Sequence, residues 1–152
     1  MFVVICNIRT SRIKQNTKNG NIYMAKPFGY SYLLDMHGCK KGTADDMELT
    51  YRFLEKLVEE IGMTKMSAPI VIHAPTINGV ETFPDKAGVS GWVPLIESGI
   101  QIHSIEPTHF ITLDVYSCKK FDPQIIKNFA YKYFEYIDCE EHFTERGTKY
   151  QG

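Results

Sequence analysis

Three strand-like runs lie close together in the middle of the chain, and this clustering restricts the fold more than any other feature. The runs span residues 90–97, 99–104 and 109–117. Each is rich in Val, Ile, Leu or Tyr and is bounded by Gly, Ser or Pro, as is typical of β-strands. Strands that follow one another this closely predict a meander of neighbouring antiparallel strands.

Several chemically reactive side chains fall within the same segment. Glu97 and Ser98 lie between the first two runs and precede Gly99, His103 lies five residues beyond Ser98, and Cys118 follows the third run. A hydroxyl, an imidazole and a thiol are therefore expected to converge at one end of the meander. Taken alone, each has an ordinary alternative: a serine before glycine is most often a turn residue, and a strand histidine usually pairs with a neighbouring carbonyl.

An amphipathic helix is predicted before the meander. Its apolar residues recur every three or four positions and would share one helical face: Met47, Tyr51, Leu54, Val58 and Ile61. Thr43 is the expected N-cap, Asp45 and Asp46 favour the positive end of the helix dipole, and Gly62 is the expected end.

A second helix is predicted after the meander, with Asp122 as its N-cap and Pro123 in its first turn. Its apolar stripe comprises Ile125, Ile126, Phe129, Ala130, Tyr133, Phe134 and Ile137. Further strands are predicted at residues 30–36, 69–73 and 139–144.

The order of these elements predicts the fold class. Strand, helix, several strands, helix and strand fit an α+β fold, a two-layer sandwich in which a mainly antiparallel sheet carries both helices on one face. Residues 74–87 contain Pro75, Gly79 and Pro84 and are expected to form a long loop.

Composition narrows the class of function. The chain has 152 residues, 43% of them hydrophobic, which fits one globular domain and indicates no membrane span. A net charge of −1 argues against a nucleic-acid partner, which would require a concentrated basic surface. The cysteines show no tight pairing pattern, so free thiols in a reducing cytoplasm are expected: Cys6, Cys39, Cys118 and Cys139.

Four motifs in register resemble one family. Gly88-Val89-Ser90-Gly91, Glu97-Ser98, Ile102-His103 and Leu113-Asp114-Val115-Tyr116-Ser117-Cys118 are similar to the central motifs of the prokaryotic-type S-adenosylmethionine decarboxylase proenzymes. The likeness extends more loosely over residues 30–147. It implies the same two-layer fold, a homodimer with active sites near the interface, and a pyruvoyl cofactor made from the chain itself.

The resemblance implies a self-cleavage between Glu97 and Ser98. Ser98 would become the pyruvoyl group that forms a Schiff base with the substrate, and His103 would remove a proton during this processing. Ser90 would stabilise the processing intermediate; otherwise it is an ordinary strand-edge serine. Cys118 would be the proton donor in turnover, although a single cysteine is more often a buried, inert thiol.

Two other positions bear on the site. Asp114 shares a strand face with Cys118 and is either a site residue or a carboxylate of the sheet or interface. The family usually has an aromatic residue where this chain has Ile105, followed by Pro-Glu where this chain has Glu106-Pro107. Because a ring there is expected to hold the substrate's adenine, Phe83 in the long loop is the alternative substrate-binding candidate. Trp92 is nearby, but its strand position favours the core.

The function implied is decarboxylation of S-adenosylmethionine, which supplies the aminopropyl donor for spermidine synthesis. One alternative keeps the pyruvoyl chemistry with arginine or ornithine as substrate, and another is an unprocessed homologue that binds or regulates a partner. A metal site is not expected, because His37, Cys39 and His73 lack a second close pair to complete a ligand set.

The N-terminal part of the chain differs in charge from the rest. Residues 1–34 contain no acidic residue and five basic ones, and the resemblance begins only near Tyr30. We expect residues 1–23 to be an extension of unknown role, or to precede Met24 as the functional start. Residues 24–152 would then form the decarboxylase-like domain.

Overall fold

The computed structural model describes residues 26–74, 76–77, 80–81 and 84–150. These residues include two α-helices, α1 (Met47–Glu60) and α2 (Pro123–Phe134). The strands are β1 (Gly29–His37), β2 (Ile70–His73), β3 (Thr76–Ile77), β4 (Val80–Glu81), β5 (Val89–Leu95), β6 (Ser98–Ile105), β7 (Phe110–Ser117) and β8 (Asp138–Arg146). The predicted N-terminal extension and Phe83 lie outside these described residues.

Six of the strands form one antiparallel sheet in the order β2-β5-β6-β7-β1-β8, and β3 pairs with β4 in a separate hairpin. The predicted meander is confirmed, since β5, β6 and β7 are successive neighbours. The α+β architecture predicted from the element order is confirmed as well.

One face of the sheet forms the core with both helices. Because successive strand residues alternate between faces, every second residue of the central strands is buried, including Leu34, Val93, Ile100 and Leu113 at 0% exposure. Helix α1 adds Phe53, Leu54, Leu57 and Val58 to the same cluster, and α2 adds Ile126, Ala130 and Phe134. The rings of Phe53 and Phe134 meet edge to face at 4.8 Å and join the two helices.

The opposite face of the sheet, called here the open face, carries the intervening residues. Ser90, Gln101, His103 and Asp114 are exposed on it. Large apolar side chains are exposed there too: Leu33, Ile70, Ile72 and Trp92. A sheet face with this much apolar surface is suited to contact with another layer.

The start of α1 differs from the prediction. Asp46, not Thr43, is the N-cap, and its carboxylate accepts a hydrogen bond from the Leu49 N–H at 2.9 Å. The Thr43 hydroxyl instead donates to the Lys40 carbonyl within the preceding turn. Met47 is therefore the first helical residue and remains exposed, whereas Gly62, with φ of 64°, lies just beyond the helix as predicted.

The start of α2 matches the prediction. Asp122 is the N-cap and accepts a hydrogen bond from the Gln124 N–H at 2.9 Å, and Pro123 is the first residue. The apolar stripe predicted for α2 extends beyond the observed helix. Glu135 adopts a left-handed conformation that ends the helix, and Ile137 lies exposed after it.

The predicted long loop at residues 74–87 is only partly a loop. It contains the β3–β4 hairpin and a short 3₁₀ turn, Pro84–Lys86. Within the described residues, no helix combines the length and hydrophobicity needed to cross a bilayer.

Candidate active site

The predicted cleavage site lies in a tight turn. Ile96 and Glu97 form a two-residue connection between β5 and β6, in which Leu95 pairs with Ser98. Ser98 has a φ of 145°, a value that glycine adopts readily but that is strained in a residue with a side chain. Backbone strain of this kind costs about 1–3 kcal/mol and is concentrated at functional sites. Gly99 has no positive φ, so the strain falls on Ser98 itself.

The carbonyl of Glu97 receives a hydrogen bond across the sheet. The Cys118 N–H donates to it at 2.9 Å. The Cys118 side chain is exposed and its thiol is free, so the alternative of a buried, inert thiol does not apply. A backbone donor on a carbonyl stabilises the negative charge that would develop on its oxygen if a nucleophile attacked the carbonyl carbon.

The carboxylate of Glu97 is held separately from its carbonyl. It accepts a hydrogen bond from the Thr64 N–H at 3.1 Å. Thr64 could not be identified from the sequence, because its contribution comes from the backbone and no side-chain pattern marks it.

Ser90 and His103 form a second group on the open face. They are directly opposite each other on β5 and β6, and the Ser90 Oγ and His103 Nδ1 lie 2.9 Å apart in a hydrogen bond. Both side chains are exposed. The pair is therefore placed to act on a group that approaches the open face.

Within one protomer, the Ser90–His103 pair lies far from the turn that contains Ser98. Ser98 and His103 lie on the same strand, and five residues at about 3.3 Å each separate them by roughly 16 Å. The predicted convergence of hydroxyl, imidazole and thiol at one end of the meander is thus incomplete: Ser98 and Cys118 are neighbours, but His103 is remote.

A pocket of about 310 Å³ lies on the open face next to Ser98. It is lined by Trp92, Ser98, Gly99, Ile100, Gln101, Asp114 and Tyr116. Trp92 is 46% exposed, so the expectation that it belongs to the core is wrong. It lies on the open face because its neighbour Val93 points into the core.

Asp114 supplies negative charge to this pocket. Partial burial and, to a lesser degree, repulsion by Asp35 raise the pKa of its carboxyl from the usual 3.8. Asp35 itself was not identified from the sequence, since its proximity results from the pairing of β1 with β7. Two rings and a carboxylate next to Ser98 suit a ligand that is both aromatic and cationic.

Other features lie away from the predicted residues. A larger cavity of about 700 Å³, lined in part by Tyr32, Phe121 and Phe143, contains no predicted site residue. Ile105 ends β6 and is partly buried. Among the described residues, no group of three or more His, Cys, Asp or Glu side chains is arranged to hold a metal ion.

Comparisons with known proteins agree with the resemblance found in the sequence. The family described as S-adenosylmethionine decarboxylase matches residues 30–147. The S-adenosylmethionine decarboxylase proenzyme of Aquifex aeolicus is 32% identical over 114 residues, which are 75% of this chain and 72% of that protein. The proenzyme of Persephonella marina is 28% identical over 132 residues, 82% and 86% of the two chains. The crystal structure of the adenosylmethionine decarboxylase from Aquifex aeolicus matches with a TM-score of 0.64 and 25% identity, covering 81% of this chain and 93% of that one.

Proposed function

Because the chain belongs to the S-adenosylmethionine decarboxylase family, we propose that it cleaves itself between Glu97 and Ser98 and then decarboxylates S-adenosylmethionine. The product would be the aminopropyl donor for spermidine synthesis. The observation that carries the proposal is the strained Ser98 next to a carbonyl that accepts the Cys118 N–H. The relatives are named proenzymes, which agrees with a cleavage step.

In the first step, the Ser98 Oγ attacks the carbonyl carbon of Glu97. The C–N bond of the peptide breaks, the nitrogen takes the hydroxyl proton, and an ester replaces the amide. Two features favour this step. Conversion of the Glu97–Ser98 amide to an ester releases the backbone strain at Ser98. The Cys118 N–H stabilises the oxyanion formed at the Glu97 carbonyl.

In the second step, a base removes the Cα proton of residue 98. The Cβ–O bond breaks, Glu97 leaves as a free carboxylate, and residue 98 becomes dehydroalanine. This residue tautomerises to an imine, and water replaces the nitrogen as ammonia to leave the pyruvoyl group. We assign His103 as the base, since imidazole is the side chain that most often carries out such proton transfers and its hydrogen bond to Ser90 orients the ring.

His103 can act on Ser98 only from another copy of the chain, because roughly 16 Å separates the two residues along β6. We therefore propose a homodimer that packs through the two open faces. In a twofold interface, two patches of one chain contact each other reciprocally. The Ser90–His103 pair of the partner subunit would then lie over Ser98, and two equivalent sites would form.

The open face supports this assembly in a second way. Ile70 and Ile72 on β2 are 52% and 61% exposed, and Trp92 is 46% exposed on the adjacent strand. Burial of apolar surface contributes about 25 cal/mol per Å², so these side chains favour association. Packing would also exclude water from the pocket next to Ser98.

The residues around position 98 fit a pyruvoyl group. When formed, this group would supply an electrophilic carbonyl and a sink for the electrons released by decarboxylation. We assign Cys118 as the proton donor to the product carbon, since it is exposed and its N–H already contacts the Glu97 carbonyl. Asp114 and Trp92 would contact the substrate in the adjacent pocket, and the free thiol of Cys118 fits a cytoplasmic enzyme.

Mass spectrometry of the purified protein tests the proposal. The wild type should separate into two chains, residues 1–97 and a chain that begins at position 98 and lacks a free amine. The Ser98→Ala variant should keep the intact mass. A wild type that remains whole after long incubation would contradict the proposal and would leave a non-catalytic binding role.

A second substrate class is arginine or ornithine. It is favoured by the aliphatic Ile105 in place of the aromatic residue and by the carboxylate of Asp114 beside the pocket. Labelled carbon dioxide released from each substrate, measured in parallel, identifies the substrate that the protein decarboxylates. Release from arginine or ornithine, with none from S-adenosylmethionine, would replace the first choice.

A further inference from the structure

A short segment after α1 lies against the cleavage turn. Residues 63–66 pair with the end of β5 through two backbone hydrogen bonds: the Ile96 N–H donates to the Thr64 carbonyl at 3.0 Å, and the Met66 N–H donates to the Pro94 carbonyl at 2.9 Å. The Thr64 N–H completes the contact by donating to the Glu97 carboxylate at 3.1 Å. The segment therefore extends the sheet up to the bond that is to be cleaved.

The segment is itself tied to the rest of the protein. The Lys65 ammonium pairs with the Glu55 carboxylate of α1 at 2.9 Å, with both side chains about one third exposed. Beside it, the Lys119 Nζ donates to the Gly62 carbonyl at 2.6 Å. Because Lys119 directly follows Cys118, this bond connects the segment to the residue that donates to the Glu97 carbonyl.

These contacts hold Glu97 at two points. Its carbonyl accepts from Cys118 on one side, and its carboxylate accepts from Thr64 on the other. A turn residue held only by its carbonyl could still pivot about that hydrogen bond, which would rotate its Cα and let the φ of Ser98 relax. Holding the side chain as well opposes that rotation, and strained backbone persists only where the surroundings over-determine it.

We propose that residues 63–66 are a positioning device for self-processing, and that Glu97 is a positioning residue that acts through its hydrogen bond to Thr64. The inference rests on the proposed self-cleavage. It gives the Glu97 side chain a role separate from the reacting carbonyl: the carboxylate keeps the Glu97–Ser98 peptide in the strained conformation from which the Ser98 hydroxyl attacks.

The test is the rate of cleavage after pulse-labelled cell-free synthesis, which supplies uncleaved precursor. Glu97→Ala should cleave about tenfold more slowly than the wild type, a factor that corresponds to about 1.4 kcal/mol of barrier. Glu97→Gln keeps an acceptor oxygen for the Thr64 N–H and should recover most of the rate. Glu59→Ala is the matched control, because it removes an exposed carboxylate that pairs with Lys56 on α1 away from the turn.

Two further readouts separate positioning from a loss of folding. Lys65→Met changes no residue of the turn but removes the ion pair with Glu55 that ties residues 63–66 to α1. This variant should cleave about threefold more slowly than the wild type. Brief exposure to hydroxylamine, which cleaves esters, should not cleave the Glu97→Ala precursor, because its defect precedes the ester. The same exposure should cleave a His103→Ala precursor, in which the ester accumulates.

Three results would overturn the inference: cleavage of Glu97→Ala at the wild-type rate, Glu97→Gln as slow as Glu97→Ala, or an accumulated ester in Glu97→Ala. The second would indicate that the negative charge matters and not the hydrogen bond. A wild type that never cleaves would instead contradict the proposed function, so the two failures are distinguishable.

Discussion

The strain at Ser98 predicts an unusual ranking of two substitutions. Ser98→Ala and Ser98→Gly both remove the hydroxyl, so neither can cleave, and their stabilities can be compared directly. Alanine retains the strain of a φ of 145°, whereas glycine relieves it. We therefore expect Ser98→Gly to be the more stable variant, the reverse of the usual order within a strand.

The magnitude follows from two opposing free energies. Relief of strain stabilises the glycine variant by about 1–3 kcal/mol, and the greater chain entropy of glycine in the unfolded state costs about 0.5–1 kcal/mol. The net gain is about 1 kcal/mol in the free energy of unfolding. For a chain of this size, this corresponds to a melting temperature about 2–4 °C higher.

The assay is thermal and urea unfolding of both variants at one protein concentration, followed by circular dichroism. Ser31 provides the matched control, because it lies within β1 at an unstrained φ. There the glycine variant should be less stable than the alanine variant by about 0.5–1 kcal/mol. If Ser98→Gly is also the less stable member of its pair, Ser98 is not strained and backbone strain does not assist cleavage.

Three further predictions concern the shared site, the turnover step and the pocket. In cells that express Ser98→Ala and His103→Ala together, mixed dimers should cleave the His103→Ala chain, because the partner supplies the imidazole; no cleavage of that chain would argue against a site shared between subunits. Cys118→Ala should still cleave itself but lose productive turnover, as measured by carbon dioxide release, and normal turnover would remove Cys118 from the mechanism. A raised carboxyl pKa means that the folded state binds the proton more tightly than the unfolded state, so ionised Asp114 lowers stability above its pKa. Asp114→Asn should therefore melt at a higher temperature than the wild type at neutral pH, and the difference should vanish as the pH falls below the usual value of 3.8; a difference independent of pH would exclude ionisation as its cause.

The sequence by itself determined the elements and their layering. Alternation along β5, β6 and β7 and the three-to-four spacing in α1 and α2 are local patterns, and local periodicity decides which face of each element is apolar. Asp122 and Pro123 predicted the start of α2 for the same reason, since capping involves only neighbours in the chain. The prediction of Thr43 as the N-cap of α1 was wrong because Asp46, closer to the first buried turn, offers an equivalent acceptor. The prediction that Trp92 belongs to the core was wrong because its neighbour Val93 takes the inward position, which leaves Trp92 on the opposite face of the strand.

Only the tertiary structure decided how the reactive residues relate to one another. The structure places Ser98 and His103 far apart along β6, and the packing of β6 beside β7 brings the Cys118 N–H to the Glu97 carbonyl. The φ of Ser98 and the bond from Thr64 to Glu97 depend on backbone groups from segments distant in the chain. Backbone donors carry no residue-specific signature, and a strained conformation is stable only through contacts made after the sheet has formed, so neither can be read from the order of the residues.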